Sequence, residues 1–325
     1  MRTVGLIGPA DRPELQRLAI RLEERGGAAI FVDPRRDPSI VMSRDRLSAC
    51  GEEISGASAL YVADLGMRSV TASDSASAGS ASGGSASAGD ADSADAAPSV
   101  QRSMRHLAAW NALFDRFARK GGLVVNPPVA QELHALKPRE ILAYAPKGIP
   151  APRTVATSDP LVLARLGDDR RTAWVIKGMV GGYAHTERFE PPSSLDDAQR
   201  LLGAGPVQLQ ELIEGDNVRA FVLAGEMIGA ARFIPLDGTE IDSRRGKARI
   251  QSHDLPEEAA RHAVAAAGLW GMSFAAIDFM RDERTGRYVV LECNSAPFFV
   301  GFEASTGVEI SGRLANHLLG IRRGR

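Results

Sequence analysis

Short apolar segments alternate with helical stretches at the start of the chain, and this order limits the fold more than any other feature. The apolar segments are residues 3–8, 28–33 and 58–64. Between the first two, Leu15, Leu18 and Leu22 recur at the spacing of one helix face. Strands that alternate with helices pack into parallel sheets. The sequence therefore predicts a parallel α/β domain in this part of the chain.

A stretch of low complexity interrupts this pattern at residues 71–100. Ser, Ala, Gly and Asp fill 27 of the 30 positions, and no aromatic residue occurs there. Such a composition buries too little apolar surface to offset the entropy that is lost on ordering. We therefore predict a disordered insertion, followed by a helix that begins near Met104 and runs to Gly121.

Composition and charge limit the class of protein. The chain has 325 residues, enough for about two or three domains. A formal net charge of −1 gives no indication of a nucleic acid or membrane partner. Cys50 and Cys293 are too few for a disulfide framework, and the most apolar run, residues 263–277, is shorter than the roughly 20 residues of a membrane span. We expect a cytoplasmic protein.

Two acids and an amide lie in the last two predicted strands. Glu292 and Asn294 alternate along residues 288–294, so they are expected to share one face with Val290. A hairpin turning at residues 284–286 would bring Asp278 opposite Glu292. Such oxygen ligands suit Mg²⁺. The alternative is a set of surface acids that pair with nearby arginines, namely Arg281, Arg284 or Arg287.

Two lysines and a glycine-rich loop predict a site for an anion. Lys177 ends a strand and leads into a loop with Gly181 and Gly182, where backbone N–H groups can approach an anion closely. Lys137 precedes Pro138 at a predicted helix start, where a cation and free N–H groups can meet phosphate. Taken singly, a lysine of this kind is more often a solvated side chain.

A charged segment after the strand at residues 207–213 predicts a nucleoside site. Backbone groups beyond Glu211 can offer N–H and C=O groups to an adenine ring. The acids Glu214 and Asp216 would then stand near a ribose.

Two arginines stand on the arms of the hairpin that turns at Ala224-Gly225. Arg219 and Arg232 occur with Phe221 and Phe233 in these strands, which makes both arginines candidates for binding carboxylate or phosphoryl oxygens. The alternative is a solvent-facing role for both.

In this order, the motifs resemble those of ATP-grasp ligases, specifically the RimK-like branch that joins glutamate or other amino acids to carboxylates. The matching stretches include KPREILAYAPKGIPAPRT, WVIKGMVGGY, QELIEGDNVRAFVLAGEMIGA, GMSFAAIDFM and VLECNSAP. The resemblance implies a small N-terminal parallel α/β (pre-ATP-grasp) domain, followed by a two-subdomain ATP-grasp fold. The expected boundaries are residues 1–125, 126–206 and 207–325.

The resemblance also implies a role for each candidate residue. The implied nucleotide contacts are phosphate for Lys137, Lys177, Gly181 and Gly182, adenine for Glu211 and Ile213, and ribose for Glu214 or Asp216. The implied metal ligands are Asp278, Glu292 and Asn294, and the groups that stabilise an acyl phosphate and the intermediate formed from it are Arg219 and Arg232. One departure is Phe298-Phe299 after Pro297, where such ligases usually have a small residue. It predicts a reshaped acceptor side.

The activity that the resemblance implies is joining of a carboxylate to an amine with Mg²⁺ and ATP, with Mn²⁺ as an alternative ion. ATP would activate the carboxylate as an acyl phosphate, and ADP and phosphate would be released. A free amino acid, a peptide and a protein all remain open as substrates, and a homodimer is compatible with the resemblance. The main rival is a nucleotide-binding regulator without catalysis. A dinucleotide oxidoreductase is disfavoured, since GLIGPA lacks the G-x-G-x-x-G spacing.

Overall fold

A computed structural model gives the architecture of the chain. It describes residues 1–65, 92–127, 130, 136–168, 171–179, 186–203, 205–236 and 248–321. The chain forms two compact units, one of Met1–Pro128 with Ser311–Arg325 and one of Val129–Ile310. Among the described residues, no helix has both the length and the hydropathy needed to cross a membrane.

The first unit contains the parallel sheet that the sequence predicts. Its strands are β1 (Thr3–Ile7), β2 (Ala28–Val32), β3 (Ile40–Met42), β4 (Leu47–Ala49), β5 (Glu52–Glu53), β6 (Ala59–Val62) and β7 (Leu123–Val125). The parallel sheet has the order β2-β1-β6-β7, and β3, β4 and β5 form a small antiparallel sheet. Its helices are α1 (Pro13–Glu23) and α2 (Asp92–Arg119). Trp110 and Phe114 of α2 stack at 5.5 Å in the core that covers the parallel sheet.

The predicted insertion at residues 71–100 falls only partly within the described residues. Helix α2 begins at Asp92 rather than near Met104, so it overlaps the last residues of the predicted insertion, 92–100. The physical reason is that alanine is the best helix former and that acids suit the first turns of a helix. Low hydrophobicity argues against burial, but it does not prevent helix formation. The rest of the predicted insertion, residues 71–91, lies outside the described residues.

The second unit begins with a four-stranded antiparallel sheet. Its strands are β8 (Thr154–Thr157), β9 (Trp174–Lys177), β10 (Glu187–Arg188) and β11 (Val207–Glu211), in the order β10-β9-β11-β8. The helices of this part are α3 (Lys137–Leu142), α4 (Pro160–Asp168) and α5 (Leu195–Leu202), with a short 3₁₀ turn at Ala145–Lys147. Trp174 and Leu209 are buried against α4 and α5, which cover the sheet.

A five-stranded antiparallel sheet completes the second unit. Its strands are β12 (Gly215–Leu223), β13 (Glu226–Pro235), β14 (Ala248–Ser252), β15 (Phe274–Asp282) and β16 (Tyr288–Asn294), in the order β14-β13-β12-β15-β16. The helices that follow are α6 (Glu257–Leu269) and α7 (Val300–Thr306), and then α8 (Ile310–Leu318), which from Ser311 onward groups with the first unit. The hairpin between β12 and β13 turns at Ala224-Gly225, as predicted, with positive φ angles of 51° and 82° at the two residues.

One face of this sheet packs on helix α6, and we call it the core face. Its buried side chains are Val218, Ala220, Ile277, Phe279, Val290 and Cys293, which lie in one cluster with Ala263 and Ala266 of α6. The opposite face carries Arg219, Asp278 and Glu292, and we call it the site face. Because side chains alternate along a strand, the register of each pair of strands decides which charged groups reach the site face.

The two compact units do not correspond to the three domains that the sequence predicts. Strand β11 lies between β9 and β8, on the far side of the predicted boundary at residue 206. Residues 311–325 group with the first unit, where Arg25 Nε donates a hydrogen bond to Asn316 Oδ1 of α8 at 2.7 Å. The division at residues 125 and 206 stays a prediction.

Candidate active site

Three charged residues lie side by side on the central strands of the site face. Arg219 of β12 pairs with Asp278 of β15, and Asp278 pairs with Glu292 of β16. The predicted pairing of Asp278 with Glu292 in a late hairpin is confirmed. The register places one cation and two carboxylates in a row across three neighbouring strands.

A β-bulge in β16 changes the alternation that the sequence predicts. Asp278 pairs with Glu292 but Phe279 pairs with Val290, so Leu291 is an extra residue. Val290 therefore lies in the core with Cys293, and the expectation that it shares a face with Glu292 is wrong. A bulge re-aims the side chains that follow it. Here it allows an apolar strand to bury Val290 and still present Glu292 to the site face.

Each carboxylate of this row has a cationic partner. Arg219 donates two hydrogen bonds to Asp278, from Nε to Oδ1 at 2.6 Å and from Nη2 to Oδ2 at 2.9 Å. Lys137 Nζ donates to Glu292 Oε2 at 3.0 Å. Asn294 Nδ2 lies between the acids, 3.0 Å from Asp278 Oδ2 and 3.2 Å from Glu292 Oε1. These partners differ from the arginines at 281, 284 and 287 that a surface role would use.

The environment moves the pKa values of the two acids in opposite directions. Burial raises the pKa of Asp278 and the nearby Glu292 raises it further, while Arg219 opposes the rise. Burial also acts to raise the pKa of Glu292, but Lys137 and Lys177 together lower it below its ordinary value. Two like charges at close range favour such a separation. Glu292 therefore interacts electrostatically with both predicted phosphate lysines.

Lys177 lies at the end of β9, beside the neighbouring strand β11. Its Nζ donates to Gln210 Oε1 at 2.5 Å, and its charge acts on Glu292. The predicted phosphate loop cannot be placed, because Gly181 and Gly182 lie outside the described residues. The structure thus brings both lysines near the acids but leaves the loop prediction open.

The predicted adenine segment follows β11. The N–H groups of Glu211 and Leu212 donate to Arg153 O and Ala173 O, both at 2.8 Å. Within the described part of the chain, no backbone hydrogen bond is seen from the N–H group of Ile213. Glu214 is exposed and lies 3.7 Å from Arg188. The N–H groups of Glu211 and Leu212 are therefore used within the protein, whereas the Glu214 carboxylate lies at the surface in an ion pair with Arg188.

Arg232 and Asp216 do not reach the site face. Arg232 pairs with Val218, a core residue, whereas Phe233 packs under Arg219 with 5.3 Å between the guanidinium and the ring centre. Arg232 Nη1 instead donates to Asp216 Oδ2 at 3.2 Å. The structure therefore does not bring together the two arginines that the sequence groups.

A second bulge is the physical reason for this difference. Val222 pairs with Met227 but Phe221 pairs with Gly229, so Ile228 is an extra residue in β13. A regular hairpin from the same turn would pair Arg232 with Asn217 and so place it on the face of Arg219. The bulge moves Arg232 to the opposite face, beside Asp216.

One buried acid near the site escapes the sequence analysis. Glu140 of α3 is buried, and its Oε1 accepts hydrogen bonds from Tyr144 OH at 2.7 Å and from the Cys293 N–H group. Burial raises the pKa of Glu140 to about 8, although the bonds from Tyr144 and Cys293 oppose the rise. The sequence signal that could have identified Glu140 is an acidic residue beside Ile141, on the apolar side of a helix.

The donor set of the site fits a small, hard cation. Asp278 and Glu292 supply carboxylate oxygens, and rotation of the Asn294 amide would present Oδ1 where Nδ2 now lies. Among the described residues, no group of three or more His, Cys, Asp and Glu side chains could hold a metal ion. Two carboxylates with an amide match Mg²⁺, which takes one or two protein carboxylates and completes its shell with phosphate and water.

The two phenylalanines after Pro297 take different positions. Phe299 is buried against Phe274, with 6.0 Å between the ring centres, and it fixes the start of α7. The Phe298 residue is 67% exposed. The bulky residue after Pro297 therefore faces outward, four positions beyond Asn294.

Comparison with known proteins places this geometry in a class. A profile of the RimK-like ATP-grasp domain matches residues 202–318. A probable alpha-L-glutamate ligase of Aliivibrio fischeri (strain MJ11) is 30% identical over 219 residues, which are 64% of this chain and 70% of that protein. A protein of the same description from Enterobacter sp. (strain 638) is 29% identical over 244 residues, covering 67% of this chain and 80% of the relative.

Solved structures agree with the sequence relatives. The ATP-grasp ligase PsnB, in complex with a phosphomimetic variant of a minimal precursor, Mg and ADP, gives a TM-score of 0.77 with 26% identity over 98% of each chain. The macrocyclase MdnC, bound with precursor peptide MdnA from Microcystis aeruginosa MRC, gives a TM-score of 0.71 with 17% identity, covering 98% of this chain and 99% of that one. The second likeness shows the fold alone.

The fold and the relatives together define an ATP-grasp ligase. Within that class, the chain belongs to the RimK-like family. The predicted reaction type, ligation of a carboxylate to an amine with ATP and Mg²⁺, is confirmed at the level of the family. The comparisons give no support to a non-catalytic regulator.

Proposed function

We propose that the row formed by Arg219, Asp278 and Glu292 is the catalytic centre of the ligase. The observation that carries this proposal is the convergence of two carboxylates, one amide and two cations from four separate elements. Asp278, Glu292 and Asn294 hold Mg²⁺, and Arg219 stabilises the negative charge of an acyl phosphate. A bound Mg²⁺ offsets charge on the phosphoryl group that is transferred.

The nucleotide lies along the segment between the two sheets of the second unit. Lys137 and Lys177 contact the phosphates, together with the loop of Gly181 and Gly182. The segment from Glu211 to Ile213 binds adenine. Of the two ribose candidates, Glu214 is favoured because Asp216 is shared by two arginines on the core face.

The chemistry follows from the weakness of a carboxylate as an electrophile. Transfer of the γ-phosphoryl group from ATP to a carboxylate oxygen forms an acyl phosphate and ADP. An amine then attacks the carbonyl carbon, loses a proton, and expels inorganic phosphate to give an amide. Positive groups held in place before the reaction stabilise the charge that develops at the phosphoryl and carbonyl oxygens.

The substrate that we favour is a peptide with a reacting side-chain carboxylate. PsnB was solved with a phosphomimetic variant of a minimal precursor, and the likeness to it spans 98% of this chain. The glutamate ligases align with about two thirds of it. The exposed Phe298 offers an apolar contact on the acceptor side.

The second candidate is addition of free glutamate to a carboxylate. It is favoured by relatives such as the protein of Aliivibrio fischeri, 30% identical to this chain, which is described as a probable alpha-L-glutamate ligase. The two candidates differ in the mass of their products. Closure within one peptide removes one water, whereas addition of glutamate adds a glutamyl residue.

The test is incubation of the protein with Mg²⁺, ATP and acid-rich peptides, with and without free glutamate, followed by mass spectrometry. We expect ADP, phosphate and a peptide that has lost water. A carboxylate labelled with heavy oxygen should pass one labelled atom to phosphate. Formation of AMP and pyrophosphate would contradict the acyl phosphate, and a glutamyl gain would favour the second candidate. A non-catalytic protein would bind ATP without any turnover.

A further inference from the structure

A buried acid touches the strand that carries the candidate metal ligands. Glu140 lies on α3 and is only 5% exposed, among apolar residues such as Ile141. A carboxyl group in such a place is costly unless its oxygens receive hydrogen bonds. Its partners therefore indicate what the residue does.

The partner of Glu140 on the strand is the backbone of Cys293, which stands between Glu292 and Asn294. Strand β16 is at the end of its sheet, so its outer N–H groups have no strand partner. Val290 N–H donates to Pro150 O at 2.8 Å, and Cys293 N–H donates to Glu140 Oε1. The acid thus replaces a missing strand at the position between the two ligands.

Helix α3 touches the same strand a second time. Lys137, one turn before Glu140, donates to Glu292 Oε2 at 3.0 Å. The helix has six residues and no side-chain hydrogen bond at its N-cap, so it is too short to be stable by itself. Tyr144, fully buried, holds the same oxygen of Glu140 from the C-terminal side. Two contacts one turn apart fix both the position and the rotation of α3 against β16.

We infer that Glu140 is a positioning residue, which holds Lys137 at the correct distance from Glu292 by anchoring α3 to the Cys293 backbone. The inference rests on the proposed function, in which Lys137 contacts ATP phosphates. Without the anchor, Lys137 would still carry its charge but would lose its fixed place. Groups that orient primary ligands typically contribute about 10- to 100-fold to affinity or activity.

The test compares substitutions that keep or remove the acceptor oxygen. Glu140→Leu removes it and should lower kcat/KM for ATP by about 10-fold or more. Glu140→Gln keeps Oε1 as a carbonyl oxygen for both donors, so it should recover most of that loss. If Glu140→Gln is as defective as Glu140→Leu, the acceptor role is wrong.

A double-mutant cycle tests the route through Lys137. If Glu140 acts by placing Lys137, then Glu140→Leu should cost little more in a Lys137→Ala background. If the losses of the two single variants multiply fully in the double variant, the inference is wrong. Should Glu140→Leu fail to fold, Tyr144→Phe removes one of the two donors and enters the same cycle.

The matched control is Glu14, a buried acid of the first unit that pairs with Arg12 at 3.3 Å. Glu14→Leu should lower the unfolding temperature without changing KM for ATP. An equal change of KM in this control would make the effect of Glu140 merely structural. If Lys137→Ala binds ATP as the wild type does, the proposed function of Lys137 fails; if only the Glu140 variants are silent, this inference alone fails.

Discussion

The two faces of the five-stranded sheet carry similar charges but differ in their chemistry. On the site face, Asp278 binds Arg219 and lies beside a second carboxylate, Glu292. On the core face, Asp216 is shared by Arg232 and Arg281, at 3.2 and 3.6 Å, with side chains 35–42% exposed. An acid paired with arginine is therefore no guide to function by itself. What distinguishes the site is that two carboxylates converge and that one of them, Asp278, is only 10% exposed.

The largest effect should come from removing an acid of the site face, with removal of an acid of the core face as the control. Asp278→Asn and Glu292→Gln should each lower ATP-dependent turnover by about 10²- to 10³-fold, because the metal and the charged phosphoryl group lose a fixed electrostatic partner. Asp216→Asn should stay within a factor of about 5, the equivalent of roughly 1 kcal/mol. Phosphate release at saturating ATP is the measurement. Equal losses on the two faces would remove the distinction.

A smaller difference should separate the two arginines. Arg219→Lys keeps the charge but loses the two-pronged contact with Asp278, so kcat should fall by about 10- to 100-fold. Arg232→Lys should change kcat little, since its partner Asp216 lies on the core face. The kcat of both variants is measured with the same peptide. A larger loss of kcat for Arg232→Lys than for Arg219→Lys would indicate that Arg232 is a catalytic residue.

The pH dependence of stability should distinguish Glu140, which lies under the site. Its pKa is about 8 in the folded chain and near the ordinary 4.5 when unfolded. Between these values the unfolded chain loses a proton that the folded chain keeps, so this group makes stability fall as pH rises through that window. Glu140→Gln should therefore show a flatter profile of unfolding temperature between pH 5 and 8. Parallel profiles for both proteins would contradict the raised pKa.

The smallest effect should be the loss of unfolding free energy when the Asp216 ion pair is removed. Because its side chains are partly exposed, Asp216→Asn should cost less than about 1 kcal/mol of unfolding free energy. Added salt should shrink even that difference, since it screens exposed charges. Urea unfolding at low and high salt checks this. A cost of several kcal/mol would show that the core-face pair is as tightly held as the site-face pair.

Much of the fold could be predicted because its signals are local. Apolar periodicity located the parallel strands of the first unit, and the Ala224-Gly225 turn located the β12–β13 hairpin. The pairing of Asp278 with Glu292 followed from the short turn between β15 and β16. The start of α2 was missed because residues 92–100 have helix propensity without an apolar pattern.

The site was predicted less well, because the face of the sheet on which a side chain lies depends on the register of the strands. Val290 was assigned to the wrong face, and Arg232 was grouped with Arg219, each because one extra residue resets the alternation. The role of Glu140 depends on a bond to a backbone N–H group far along the chain, which no local pattern shows. The metal assignment and the lysine roles remain predictions, and they came from the order of motifs.

The extra residue at Ile228 has a consequence for how strand β13 can change. Substituting Arg232 alters one side chain, but loss of the bulge, with Ile228 paired to Phe221, would shift every following residue of the strand by one position. Arg232 would then lie opposite Asn217 on the face of Arg219, and Phe233 would lie opposite Asp216. A slip of the strand by a single position would thus convert a peripheral cation into a neighbour of the reacting groups, with every side chain chemically unaltered.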